Sequence, residues 1–147
     1  MSVHLPIGVL AIALLFKLIS GFRAGSTWKT GGSVLLYIGT AGAWVAIYTG
    51  DLADGIVSRE LCDPTILKDH ENGAYITAWL FTAASIIDLL TFLGSRILKK
   101  THFTWLVILL MTVGTGFLGY VGHLGATLVY QQAAGVYTPS DDCAEFE

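Results

Sequence analysis

The sequence predicts an all-α fold, an integral membrane four-helix bundle with up-down topology. Three observations carry this expectation. Only 13% of the 147 residues are charged while 54% are hydrophobic, and mean hydropathy is +0.66; an ordinary soluble domain is about 25% charged. Four apolar stretches approach the roughly 20 residues a helix needs to cross a bilayer. Within them the apolar residues run on continuously instead of alternating, which argues against barrel strands. A small soluble domain needs far more charge to cover its surface. The composition therefore excludes a soluble globular domain, a disordered tail and a basic nucleic-acid binder. No nucleophile–base pair, phosphate loop or ATP motif is present, so soluble enzymology is not indicated.

The first span covers about 5–22. The start MSVHLPIG has no basic stretch and no small-residue cleavage site follows the apolar run, so it reads as an uncleaved span. The second covers about 32–49, the third 75–94 and the fourth 103–129. Residues 23–30 and 95–102 are short joints, which make sequential neighbours antiparallel. The longest connection, 50–72, lies between spans two and three, and the polar tail is 131–147. In that connection Asp63 can cap a helix with Pro64 at its first position, which would carry His70 on a rigid turn. The pair Asn72-Gly73 offers a turn instead, with His70 in a loop.

The charges sort by side. One face holds Lys17, Arg23, Lys29, Arg96, Lys99 and Lys100, with no acid in its loops. The other holds Arg59 and Lys68 against Asp51, Asp54, Glu60, Asp63, Asp69, Glu71, Asp141, Asp142, Glu145 and Glu147. Six basic residues against two predict that the first face is cytoplasmic. Both termini then lie in the periplasm and the chain sits in a bacterial inner membrane. Cys62 and Cys143, the only cysteines, both fall on the acidic face, where an oxidising compartment allows a disulfide between them.

Ionisable groups inside spans are costly and mark function or pairing. Asp88, in the run SIIDLL, lies at a depth similar to Lys17 of the first span, and the preferred reading is a packing pair between them. A proton path is the other. His4, His70 and His123 come from three spans and lie near the acidic face, whereas His102 is at the basic face. Gly116, Gly119, Gly122 and Gly125 recur every three residues in span four. Gly116 and Gly119 lie on the face of His123. Such a strip means either close helix packing or clearance for a flat ligand. Span two has a similar strip in Gly39, Gly42, Ala43 and Ala46.

The ordered set HLPIG, YTGDLAD, DHENGAY and GHLGATLVYQQAAGV resembles a domain-of-unknown-function family of small bacterial membrane proteins. That family has four expected spans, an early H-x-P-I motif and a late G-H-x-G-x-x-L-V-Y motif. The resemblance covers nearly the whole chain and implies His4, Asp51, His70 and His123 as the polar cluster. It departs at Ala126, where the family has a second glycine, and at Gln131-Gln132, where it has a basic residue. It implies no established reaction, so the site must carry the argument.

Three readings of the cluster follow. In the first, His70 and His123 bind haem b for electron transfer beside a larger redox complex. Gly116 and Gly119 then give clearance, Trp44, Tyr48, Trp79 and Phe81 form walls, and His4 is the alternative ligand or a propionate partner. In the second, His4, His70, His123 and Asp51 or Glu71 hold a single copper, zinc or iron ion. In the third, the chain is a cofactor-free accessory subunit of a photosynthetic or respiratory complex. The partners expected are the lipid bilayer and a larger membrane complex or a second copy, not nucleic acid.

Overall fold

The computed structural model describes residues 3–23, 25–59, 61, 63–94 and 101–136. The chain forms α1 (His4–Phe22), α2 (Ser26–Val57), α3 (Pro64–Phe92) and α4 (Thr101–Gln132). Each is long and apolar enough to cross a membrane. Helix α1 packs on α2, α2 on α3, α3 on α4, and α4 returns to α1. This leaves α1 and α3 on one diagonal and α2 and α4 on the other. The α1–α2 and α3–α4 seams are the most extensive. Cys62, Cys143 and the basic joint 95–100 lie outside the described residues, so the proposed Cys62–Cys143 bridge does too.

The helices outrun the apolar stretches. Most of the expected 50–72 connection is helical, because α2 continues to Val57 and α3 begins at Pro64. Hydropathy marks where a helix lies in lipid, and a polar helix can continue past that boundary without changing its backbone. Asp63 does cap α3: its carboxylate accepts the Thr65 N–H at 2.9 Å, with Pro64 in the first turn. The Thr65 hydroxyl, which donates to the same oxygen, and then this N–H hold the Asp63 carboxyl below its ordinary value. No turn forms at Asn72-Gly73. Gly73 lies inside the helix because Val121 of α4 comes to 2.7 Å of where its Cβ would be.

Lipid is as apolar as leucine, so helices in a membrane associate through close packing and hydrogen bonds. Both are visible. Phe81 fills the centre among Leu10, Ala13, Leu36, Ala84, Val107 and Met111. Leu10 lies so close over Gly39 that a Cβ there would be 2.6 Å from its side chain, and Gly42 seats Leu5 and Pro6. The span-two strip is therefore a packing surface for α1.

The buried charges pair as the sequence suggests. Lys17 donates to Asp88 across the α1–α3 diagonal and to Ser33 Oγ at 2.8 Å. Tyr37 Oη donates to the other Asp88 oxygen at 2.9 Å, and Ser33 passes its own proton to the Lys29 carbonyl. A polar seam continues up α2 and α3. Thr40 gives its proton to the Leu36 carbonyl, so Ser85 donates to Thr40 at 2.9 Å. One turn higher, Trp44 Nε1 donates to Thr82. At the acidic end Tyr75 donates to Asp51 at 2.8 Å.

Candidate ligand site in the seam between α1 and α4

His70 meets α4 directly. Its Nδ1 lies 3.0 Å from the Val121 carbonyl. A carbonyl only accepts, so Nδ1 is the donor in this contact. The ring rests on Gly125, whose missing side chain makes room for it. His70 and His123 thus lie at matching heights, but on opposite sides of α4. Val121 and Gly125 are separated by about 40° on a helix, and His123 projects about 180° from their midpoint. The expected His70–His123 pair does not face across one cavity. Depth can be read from sequence position, whereas the rotation of α4 is set by Gly73, Gly114 and Gly125 drawing it against α3.

The remaining candidates are dispersed. Asp51 is bonded to Tyr75 on the α2–α3 seam, and Glu71 accepts from Lys68 at 2.6 Å. His4 stands on α1, diagonal to α3 and His70. Among the described residues no three His, Cys, Asp or Glu side chains gather to hold an ion, so the three-imidazole set does not assemble. The expected aromatic walls belong elsewhere. Phe81 is the buried centre of the core. Trp44 and Trp79 meet edge to face at 5.1 Å between α2 and α3, and Tyr48 on α2 is exposed. His102 lies on the first turn of α4 at the basic end.

His123, Gly116 and Gly119 share the open face of α4. A Cβ on either glycine would meet nothing within 4 Å. What borders that face follows from the other end of the helices. There α1 and α4 touch: Ile108 and Trp105 lie against Gly21, and the rings of Phe22 and Trp105 meet edge to face at 5.3 Å. Eighteen residues, five turns, separate Phe22 from His4 and also Trp105 from His123. On straight helices each histidine repeats the direction of its aromatic counterpart about 27 Å away, which puts His4 on α1 and His123 on α4 at the acidic end of the bundle, both on exposed faces. Each also has a glycine one turn deeper on its own face, Gly8 four residues after His4 and Gly119 four residues before His123. Gly8 likewise has open space where a Cβ would project. Neither imidazole makes a hydrogen bond among the described residues, and both are exposed.

Gly8 is the residue that sequence reasoning missed. Its signal is the mirror symmetry of H-x-x-x-G in α1 and G-x-x-x-H in α4, which becomes meaningful only once the two helices are known to be neighbours.

No curated protein and no solved structure matches the chain. The model of a family described as predicted membrane protein (DUF2231) matches residues 1–138. With four membrane-length helices and a match over nearly its full length, the chain belongs to the DUF2231 family of predicted membrane proteins.

Proposed function

We propose that this membrane protein binds haem b in the seam between α1 and α4, with His4 and His123 as axial ligands, and transfers electrons at its acidic face. The observation that carries the reading is the paired His–Gly register. Among the described residues neither imidazole has a hydrogen-bond partner; each stands at the acidic end of its own helix, on neighbouring helices, and is backed by a glycine with open space beside it. Histidines from separate helices are standard axial ligands in bundles. Bound haem would supply a one-electron carrier. The chain's own part would be to hold it through the His4 and His123 imidazoles and to leave Gly8, Gly116 and Gly119 bare beside them. The charge asymmetry supports a cytoplasmic basic face, and so a periplasmic site in a bacterial inner membrane.

Reduced-minus-oxidised spectra of the detergent-purified protein test this. Wild type from haem-sufficient cells is expected to show a six-coordinate b-type spectrum. His4→Ala and His123→Ala each lose it, Gly119→Leu loses haem by filling the seam, and His70→Ala and His102→Ala keep it. Loss in His70→Ala with retention in His4→Ala overturns the ligand pair. Folded wild type without a Soret band overturns the haem reading and favours a second one. The exposed Gly116, Gly119 and His123 face is also the kind of surface on which another membrane helix packs. The protein would then be a cofactor-free subunit of a larger redox or photosynthetic complex, or of its own oligomer.

A further inference from the structure

At the opposite end of α1 the molecule has a feature that the haem reading does not use. Leu18, Ile19, Phe22, Arg23 and Trp28 line a crevice of about 350 Å³ where α1 hands over to α2. Its walls are almost wholly apolar, and Arg23 is among the residues that line it. The walls are fixed by ring contacts: Trp28 packs edge to face on Phe16 at 4.8 Å, and Phe22 on Trp105 at 5.3 Å. Arg23 has no carboxylate partner among the described residues. Asp88, the nearest acid in this half of the bundle, is taken by Lys17 and Tyr37. Lys29, one turn into α2, is a second cation at the same end of the bundle.

We infer that this crevice is a binding site for an anionic phospholipid of the leaflet at the basic face. An acyl chain lies along Leu18, Ile19, Phe22 and Trp28, and the phosphodiester pairs with Arg23. The chemistry of the two ends selects the occupant. An apolar slot at the end of a spanning helix is reached from the hydrocarbon layer, and tryptophan and arginine there lie at headgroup level. A zwitterionic lipid satisfies the slot but cancels the charge on its own headgroup. An anionic lipid satisfies both slot and cation, and one basic side chain near the surface favours it by about fivefold. The inference stands apart from the haem site, which lies about five turns away.

Bromine on an acyl chain quenches tryptophan at contact, and Trp28 lines the crevice, so the fluorescence of the full-length protein reads occupancy. Reconstitution is done in phosphatidylcholine vesicles containing a minor fraction of dibrominated phosphatidylglycerol or of dibrominated phosphatidylcholine. Wild type is expected to favour the brominated phosphatidylglycerol about fivefold. Arg23→Gln brings the ratio close to one, and Trp28→Phe removes the selective part of the quenching. Soluble glycerophosphate leaves the quenching unchanged, because it has no chain for the slot. Equal selectivity in wild type and Arg23→Gln overturns the site. So does selective quenching that survives Trp28→Phe, and displacement by glycerophosphate overturns a lipid as the occupant.

Discussion

Along α2, small and polar residues are used up in contact; along the acidic half of the α1–α4 seam they face open space. Gly39 and Gly42 seat the side chains of α1, and Tyr37, Thr40, Trp44 and Asp51 each bond to a partner on α3. A Cβ on Gly8, Gly116 or Gly119 would meet nothing within 4 Å, and the His4 and His123 imidazoles make no hydrogen bond among the described residues. Both regions would pass as glycine strips in a sequence. Their neighbours separate them: one strip is helix packing, and the other has open space where side chains would project. Substitutions should therefore cost stability on the α2 side and change the spectrum on the α1–α4 side.

The largest stability effect is expected at Lys17. Lys17→Met leaves Asp88 buried with only the Tyr37 hydroxyl, and breaking a buried pair costs about 3–5 kcal/mol. The double change Lys17→Met/Asp88→Leu should recover most of that loss in equilibrium unfolding by detergent. A double variant as unstable as the single would remove the pair as the cause.

Glycine gives the direct contrast between the two regions. Gly39→Ala puts a Cβ 2.6 Å from the Leu10 side chain and should cost about 1–3 kcal/mol by overpacking. Gly119→Ala has open space and should leave the unfolding midpoint of the haem-free protein unchanged. Equal losses at both sites would mean that α1 and α4 are packed together at the acidic end.

Smaller effects come from the α2–α3 hydrogen bonds. Trp44→Phe removes the bond to Thr82 while keeping a ring against Trp79, and membrane bonds of this kind average about 0.6 kcal/mol. The least effect should be at Asp63. Its carboxyl titrates below the ordinary value because Thr65 bonds the charged form. Its contribution is thus complete above the unfolded-state value and is lost as pH falls through the folded one. Amide protection factors at Thr65 and Ile66, taken relative to the intrinsic exchange rate at each pH, should fall on acidification in wild type. Asp63→Ser, which caps without titrating, should lose that dependence.

Much of this architecture was legible in the residues, and the illegible part has a physical pattern. Hydropathy locates four spans because lipid enforces composition. Opposite charges at matching depth announce the Lys17–Asp88 pair, since neither tolerates the membrane alone. Asp63-Pro64 announces a helix start through local backbone chemistry. The 50–72 stretch misleads because polar helix outside the hydrocarbon leaves no hydropathy signature. The direction of His123 misleads for another reason: helix rotation is fixed by contacts on the far side of α4, where Gly73 and Gly125 draw it to α3. The pairing of Phe22 with Trp105 is a tertiary fact that no spacing within one helix contains.

The bond across the diagonal also constrains the order of assembly. Seventy-one residues of chain separate Lys17 from its carboxylate. During synthesis the first helix reaches the bilayer well before the third exists, carrying an ammonium with no acid to meet it. Its flexible stem allows the charge to reach the near headgroups in the meantime. The first helix can therefore enter early and pack on the second, but its ammonium finds its carboxylate only when the third arrives.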